Sequence, residues 1–135
     1  MEYNKYHKLL DDMVKLNIAN RESIVDLLSL APPAIIAREH CTIRSNIGRR
    51  TGKSEYIRTR AKRGDLIIVS NTRIKKLLFS KMRGTVAVAN EVNALRYFKT
   101  IFIDEPSLVF NSLPQTRMFK MLAHDSNQTF IMLGY

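Results

Sequence analysis

Residues 48–54 read Gly48-Arg49-Arg50-Thr51-Gly52-Lys53-Ser54 and follow a strand-like run, His40-Cys41-Thr42-Ile43-Arg44-Ser45. A glycine-containing loop of this kind can wrap around a phosphate, where backbone N–H groups at the start of the next helix also converge. Lys53 would then meet the phosphate oxygens, and the Ser54 hydroxyl would reach a Mg²⁺ ion. The segment therefore predicts a phosphate-binding turn between a strand and a helix. The alternative is an exposed lysine at a helix start.

A second motif lies about 50 residues later and reads Ile101-Phe102-Ile103-Asp104-Glu105. An apolar strand that ends in two adjacent carboxylates needs a partner for them, because like charges so close repel. Mg²⁺ prefers carboxylate oxygen and water as ligands. We expect Asp104 to hold the Mg²⁺ shell and Glu105 to polarise or deprotonate an attacking water. A solvated acidic turn is the alternative.

Strand-like and helix-like patterns alternate along the chain from residue 40. Strands are predicted over 40–45, 66–70, 85–89, 100–104 and 129–133, and helices over 53–63, 73–82 and 114–123, with a short helix or turn over 91–98. This alternation is typical of an α/β domain with a mainly parallel sheet of about five strands and helices on both faces. Right-handed crossovers place the carboxyl ends of the strands on one edge, so we expect Ser54 and Asp104 to lie near each other.

Two helices are predicted before the first strand. Residues 2–17 carry an apolar stripe at helical spacing, and a second helix begins near Asn20 and stops at Pro32-Pro33. We interpret 1–39 as a helical appendage and 40–135 as the core, together one compact domain. The stripe serves packing or, as the alternative, docks a partner.

The net charge of +10 is concentrated in residues 41–83, which carry thirteen Lys and Arg against Glu55 and Asp65. Such a segment favours polyanions, either nucleotide or nucleic acid. Arg73, Lys75 and Lys76 are the preferred contacts for the phosphates of double-stranded DNA, because they follow a strand end. Asn71 and Thr72, just before them, suit a helix cap. The alternative for the cations is a solvated face.

The single cysteine and the hydropathy of the chain indicate the cell compartment in which the protein is expected. Cys41 is alone, which excludes an internal disulfide and fits a reducing cytoplasm. No apolar run approaches the roughly 18–20 residues that span a bilayer, and Met1-Glu2-Tyr3-Asn4-Lys5 lacks the apolar stretch of a secretory signal. We expect a cytoplasmic protein without a membrane partner or a structural zinc.

The loop of residues 48–54 resembles the variant Walker A motif of P-loop ATPases with a RecA-like (ASCE) fold, and residues 101–105 resemble their Walker B strand with its catalytic glutamate. Within that class the loop resembles the large terminase subunit, the viral DNA-packaging motor ATPase. The turn Asn93-Ala94-Leu95-Arg96, just before the acidic strand, is a second match. The resemblance implies ATP and Mg²⁺ as ligands, DNA as the object of work, the host cytoplasm as location, and a ring of copies or other packaging proteins as partners.

The resemblance also implies roles for the loop arginines. Arg49 would act in cis on the γ-phosphate and stabilise the charge that develops in phosphoryl transfer, with Arg50 in a lesser role. Solvent-facing arginines or DNA-phosphate contacts are the alternatives. Three features depart from the family: Ile47 stands where the usual loop has glycine, Gly134-Tyr135 follows the last strand where Ser or Thr is common, and the length leaves no room for a nuclease domain.

Other functions suit the same residues. A helicase-like or DNA-remodelling ATPase would need the same site. A nucleotide-binding interaction module without turnover would use the N-terminal helices to dock a partner. A small-molecule kinase would want an arginine-rich lid after the last helix, where only Arg117 and Lys120 lie.

Overall fold

The computed structural model describes residues 3–46, 52–93 and 96–134 of the 135-residue chain. The helices in these ranges are α1 (Tyr3–Ser23), α2 (Val25–Leu28), α3 (Pro33–His40), α4 (Lys53–Arg60), α5 (Thr72–Leu78), α6 (Pro106–Val109) and α7 (Gln115–Leu122). The strands are β1 (Thr42–Ser45), β2 (Leu66–Val69), β3 (Thr85–Val88), β4 (Thr100–Asp104) and β5 (Thr129–Leu133), and a 3-10 turn covers Ala89–Glu91.

The five strands form one parallel sheet in the order β1-β5-β4-β2-β3. The predicted α/β class and the parallel sheet are therefore confirmed. β2, β4 and β5 are almost wholly buried, as expected of parallel strands that helices cover on both sides. β5 lies between β1 and β4, so it separates the strand before the glycine loop from the strand that ends at Asp104.

Alternate side chains of the strands point to opposite faces, and each face has its own helices. Ile68, Ile103 and Met132 pack with residues of α3, α6 and α7. Their neighbours Ile67 and Phe102 face the other way and pack with residues of α1, α4 and α5. A period of two in the strands thus builds two apolar layers, and the helix that begins at Lys53 belongs to the second.

The chain before β1 folds into three helices, where the apolar pattern predicts two. α1 continues through Asn20, the predicted cap, and ends at Ser23. Arg21 holds its last turn, because this buried guanidinium donates hydrogen bonds to the Gln128 carbonyl and the Thr129 hydroxyl. A tertiary contact here outweighs the local capping preference of asparagine. Neither α1 nor any other helix of the described ranges is long and apolar enough to cross a membrane.

Proline also acts differently from the prediction. The pair Pro32-Pro33 begins α3, with Pro33 at its first position, because the first helical residue does not need an N–H group. α3 places Ala37 in the apolar layer on one face of the sheet, while α1 places Tyr6 and Leu10 in the layer on the other. Both helices therefore contribute to the core.

Candidate active site

The turn after β4 presents two carboxyl groups at the carboxyl edge of the sheet. Asp104, the last residue of β4, is 7% exposed, and Glu105 follows with a left-handed backbone at φ 56°. No other described non-glycine residue has a positive φ. Such a conformation costs of the order of 1–3 kcal/mol and persists where the surroundings impose it. Here the Glu105 N–H donates to the Leu133 carbonyl at 2.9 Å, which ties the turn to β5.

The end of the glycine loop reaches the same edge. Gly52 has a left-handed backbone, at φ 81°, and caps α4, which begins at Lys53. The Lys53 side chain is 11% exposed, and its Nζ lies 3.1 Å from Glu105 Oε1. The structure therefore brings the two sequence motifs together across β5. Ser54, the next residue of α4, is half-buried.

Gly134 closes the site from β5. It has φ +102°, and a Cβ atom at this position would lie 2.5 Å from Glu105 Oε2. Its N–H donates to the Ser45 carbonyl at 2.9 Å, which joins the ends of β1 and β5. The terminase resemblance leads one to expect Ser or Thr here. Glycine instead leaves the space that the Glu105 carboxylate occupies.

Burial makes the Asp104 carboxyl a weaker acid than that of an exposed aspartate. Burial first, and then the neighbouring Glu105 charge, raise the pKa of this carboxyl from 3.8 to about 6, while Lys53 acts in the opposite direction. Within the described ranges, no hydrogen-bond donor reaches the Asp104 carboxylate. A buried carboxylate that lacks donors and lies beside a second carboxylate is a place where a cation is stabilising.

The carboxylate and hydroxyl oxygens at this edge fit Mg²⁺ better than they fit a metal ion whose ligands all come from the protein. The described residues contain no group of three or more His, Cys, Asp or Glu side chains that could hold a metal ion. Mg²⁺ is usually bound by one or two protein groups, with water and substrate phosphates as its other ligands. Asp104 and the Ser54 hydroxyl are the groups that match this pattern.

Some predicted site residues lie outside the described ranges. These are Gly48, Arg49, Arg50 and Thr51, together with Ile47 before them and the Ala94-Leu95 pair of the upstream turn.

The predicted DNA-contact residues lie on α5. Asn71 caps this helix, because its side chain accepts a hydrogen bond from the Ile74 N–H at 2.9 Å, so the cap interpretation is confirmed for Asn71. Arg73 and Lys76 are exposed and Lys75 is half-buried, and no carboxylate of the described residues pairs with any of the three.

Two other cations of residues 41–83, the segment rich in Lys and Arg, form ion pairs within the protein. Arg58 forms a 2.6 Å ion pair with Glu55, and Arg60 forms a 2.8 Å ion pair with Asp11 of α1. The Arg60 guanidinium holds the pKa of the Asp11 carboxyl below its usual value. These two arginines therefore stabilise α4, whereas Arg73, Lys75 and Lys76 of α5 pair with no described carboxylate.

Sequence reasoning missed three residues at this edge. Tyr6 and His7 of α1 contact the two ends of the glycine loop, and Gly134 packs against Glu105. The sequence pattern shows Tyr6 only as one apolar position in a helical stripe, and it contains no signal for His7.

Comparison with known proteins returned no matching family model, no matching curated protein and no matching solved structure.

Proposed function

We propose that this chain binds ATP with Mg²⁺ at the carboxyl edge of its sheet and hydrolyses it. The observation that carries the proposal is the 3.1 Å contact between Lys53 and Glu105 beside the buried Asp104. It unites a phosphate-binding cation, a potential general base and a potential magnesium ligand, three groups that phosphoryl transfer to water requires.

Each residue has a separate task in this proposal. Lys53 binds the β- and γ-phosphate oxygens, at the start of a helix whose N–H groups also favour anions. Ser54 and Asp104 would hold Mg²⁺, which supplies positive charge against the phosphate oxygens. Glu105 accepts the proton of the attacking water. Arg49 is the proposed cis cation at the γ-phosphate, on the strength of the terminase resemblance.

The ion pair suggests how Glu105 becomes available. Lys53 is bound to Glu105 in this structure, so triphosphate must compete with this carboxylate for the ammonium group. When Lys53 moves to phosphate, its ion pair with Glu105 breaks and Glu105 Oε1 can accept a hydrogen bond from water. Substrate binding and the readiness of the base are then linked through one lysine.

We propose that the ATPase acts on DNA, as part of a terminase-like packaging motor. The support is the unpaired charge of Arg73, Lys75 and Lys76 on α5, which follows β2 at the same sheet edge as Asp104. These cations would contact phosphates and not bases. Other copies of the chain in a ring are the proposed partners, again from the resemblance.

Calorimetry with Mg·ATP tests the site. We expect Lys53→Ala to lower the affinity about tenfold or more, because a charge-assisted contact contributes roughly 1.5–3 kcal/mol. Lys62→Ala, at an exposed lysine just after the same helix, is the matched control and should bind like the parent. Equal affinities of the parent and Lys53→Ala would remove Lys53 from the site, and no binding by the parent would overturn the proposal.

A further inference from the structure

The first turns of α1 contact the end of β1 at Ser45 and the residue before α4, Gly52. The Tyr6 hydroxyl donates to Ser45 Oγ at 3.3 Å, where β1 ends. His7 Nε2 lies 2.9 Å from the Gly52 carbonyl, directly before α4. Both side chains are buried, at 6% and 8% exposure. Since a carbonyl oxygen only accepts, His7 donates through Nε2–H. One helix is therefore hydrogen-bonded to the chain where β1 ends and where α4 begins.

The Gly52 carbonyl accepts two hydrogen bonds. One comes from the Tyr56 N–H at 2.8 Å and is the first bond of α4, and the other comes from His7. The Gly52 carbonyl and the Lys53 N–H belong to the same planar, trans peptide unit, so they point in opposite directions. Two donors on this oxygen therefore fix the direction of the Lys53 N–H. Gly52 needs such support, because glycine has the widest choice of backbone conformations.

The same helix also anchors the body of α4. Asp11 accepts a hydrogen bond from the Tyr56 hydroxyl at 2.8 Å and two from Arg60, at 2.8 and 3.1 Å. The His7 ring meets the Tyr56 ring edge-on, with 5.3 Å between centroids. α4 therefore cannot rotate about its axis without breaking contacts to α1, and the position of Lys53 depends on them.

We propose that Tyr6 and His7 form a loop clamp that fixes the end of β1 and the first peptide of α4, Gly52-Lys53, for the triphosphate. The inference rests on the proposed function, because it assigns these residues to the same site. They are positioning residues, since they hold the backbone and do not touch the phosphate. The clamp acts on the phosphate part of the ligand and leaves base recognition unchanged.

The test compares variants that remove one donor each and keep the packing. Tyr6→Phe removes only the hydroxyl, and His7→Phe keeps a ring against Tyr56 but removes Nε2–H. His7→Gln restores an N–H donor, and His40→Phe, at an exposed histidine, is the matched control. The ligands are Mg·ATP and inorganic tripolyphosphate, measured by calorimetry. Amide hydrogen exchange of Tyr56, whose N–H donates to the Gly52 carbonyl, reports without ligand on the same peptide unit.

We expect His7→Phe to lower the affinity for both ligands about fivefold, because one hydrogen bond contributes about 1 kcal/mol. Tyr6→Phe should weaken them less, His7→Gln should recover most of the loss, and His40→Phe should bind like the parent. Exchange at Tyr56 should accelerate in His7→Phe while the melting temperature stays within a few degrees. A general loss of stability would accelerate exchange throughout the chain and would not be rescued by Gln.

The outcomes separate the clamp from the site. If the parent binds neither ligand, the proposed function and the clamp are both overturned. If the parent binds, Lys53→Ala binds weakly, and His7→Phe and Tyr6→Phe bind like the parent, only the clamp is overturned. A lower affinity for ATP with an unchanged affinity for tripolyphosphate would also overturn the clamp, because the side chains would then act on the nucleoside. If His7→Phe does not fold, Tyr6→Phe and His7→Gln decide the same question.

Discussion

The carboxyl edge of the sheet and the outer surface of α5 both carry charge, but they carry it in different ways. At the edge, Asp104 is buried and receives no hydrogen bond from the described part of the chain, Glu105 adopts a left-handed backbone, and Lys53 is nearly enclosed. On α5, Arg73 and Lys76 are exposed to water. The first arrangement opposes folding, whereas the second has almost no folding cost. Substitutions should therefore separate the two regions.

The largest effect is expected from Glu105→Gln. Loss of the proposed general base should slow the proposed ATP hydrolysis about 10²- to 10⁴-fold. Mg·ATP affinity should rise about two- to fivefold, because Lys53 no longer has a competing carboxylate. Steady-state phosphate release and calorimetry measure the two quantities. Glu55→Gln, at a carboxylate paired with Arg58, is the control. Hydrolysis at the parent rate would remove Glu105 from catalysis.

Asp104→Asn should stabilise the ligand-free protein at alkaline pH. The folded carboxyl has a pKa of about 6 against 3.8 for the ordinary group, so the folded state binds more protons between these values. Its contribution is favourable at low pH and is lost as the pH rises through 6. The variant should exceed the parent by up to about 3 kcal/mol in unfolding free energy at pH 8, at 1.36 kcal/mol per pKa unit.

Urea denaturation at pH 8 and pH 4, without Mg²⁺, measures this difference, which should nearly vanish at pH 4. Saturating Mg·ATP should reverse the order at pH 8, because the ligand stabilises the protein that binds it better. An equal difference at both pH values would show that Asp104 is not an unfavourably buried charge.

Gly134→Ala should have the next largest effect. The new Cβ would displace the Glu105 carboxylate from its place beside Lys53, so turnover should fall about tenfold while Mg·ATP affinity changes less. Gly64→Ala is the matched control, because Gly64 also has a positive φ, +91°, but nothing lies within 4 Å of its Cβ position. Backbone strain alone would slow both variants equally, and that result would contradict the positioning of Glu105 by Gly134.

The smallest effect on folding is expected on α5. Replacing Arg73, Lys75 and Lys76 by Ala should change the unfolding free energy by less than about 0.5 kcal/mol. The slope of log affinity for double-stranded DNA against log salt should flatten by about one unit per lost contact. The control replaces Arg38, Arg117 and Lys120, three exposed cations on the opposite face of the sheet. Equal slopes for the parent and both triple variants would exclude α5 as the DNA surface.

The sequence predicts the sheet well because its strands are local apolar runs. β4 and β5 coincide with the predicted ranges, and the other strands differ by one or two residues. The helices are less well predicted: α5 ends at Leu78 rather than 82, since Phe79 turns into the core, and α6 was missed because its four residues have no periodicity.

Lys53, Asp104 and Glu105 could be selected from the sequence because each lies within a short motif whose chemistry is local. Tyr6 and His7 could not, since they meet the loop across 39 and 45 residues of chain and no spacing rule connects such positions. The fit of Gly134 to the Glu105 carboxylate is likewise a property of three-dimensional packing.

The place of β5 in the sheet has a consequence for the order in which this chain can fold. β5 is the last strand along the described chain, yet it lies between β1 and β4 and is hydrogen-bonded to both. During synthesis β2, β3 and β4 can pair first, while β1 and the helices around it have no strand beside them. Arg21 likewise cannot form its hydrogen bonds until Gln128 and Thr129, more than 100 residues later, have been synthesised. Such non-local pairing makes folding slow. The turn that presents Glu105 to Lys53 therefore gains its hydrogen bond to the Leu133 carbonyl only when β5 inserts between β1 and β4.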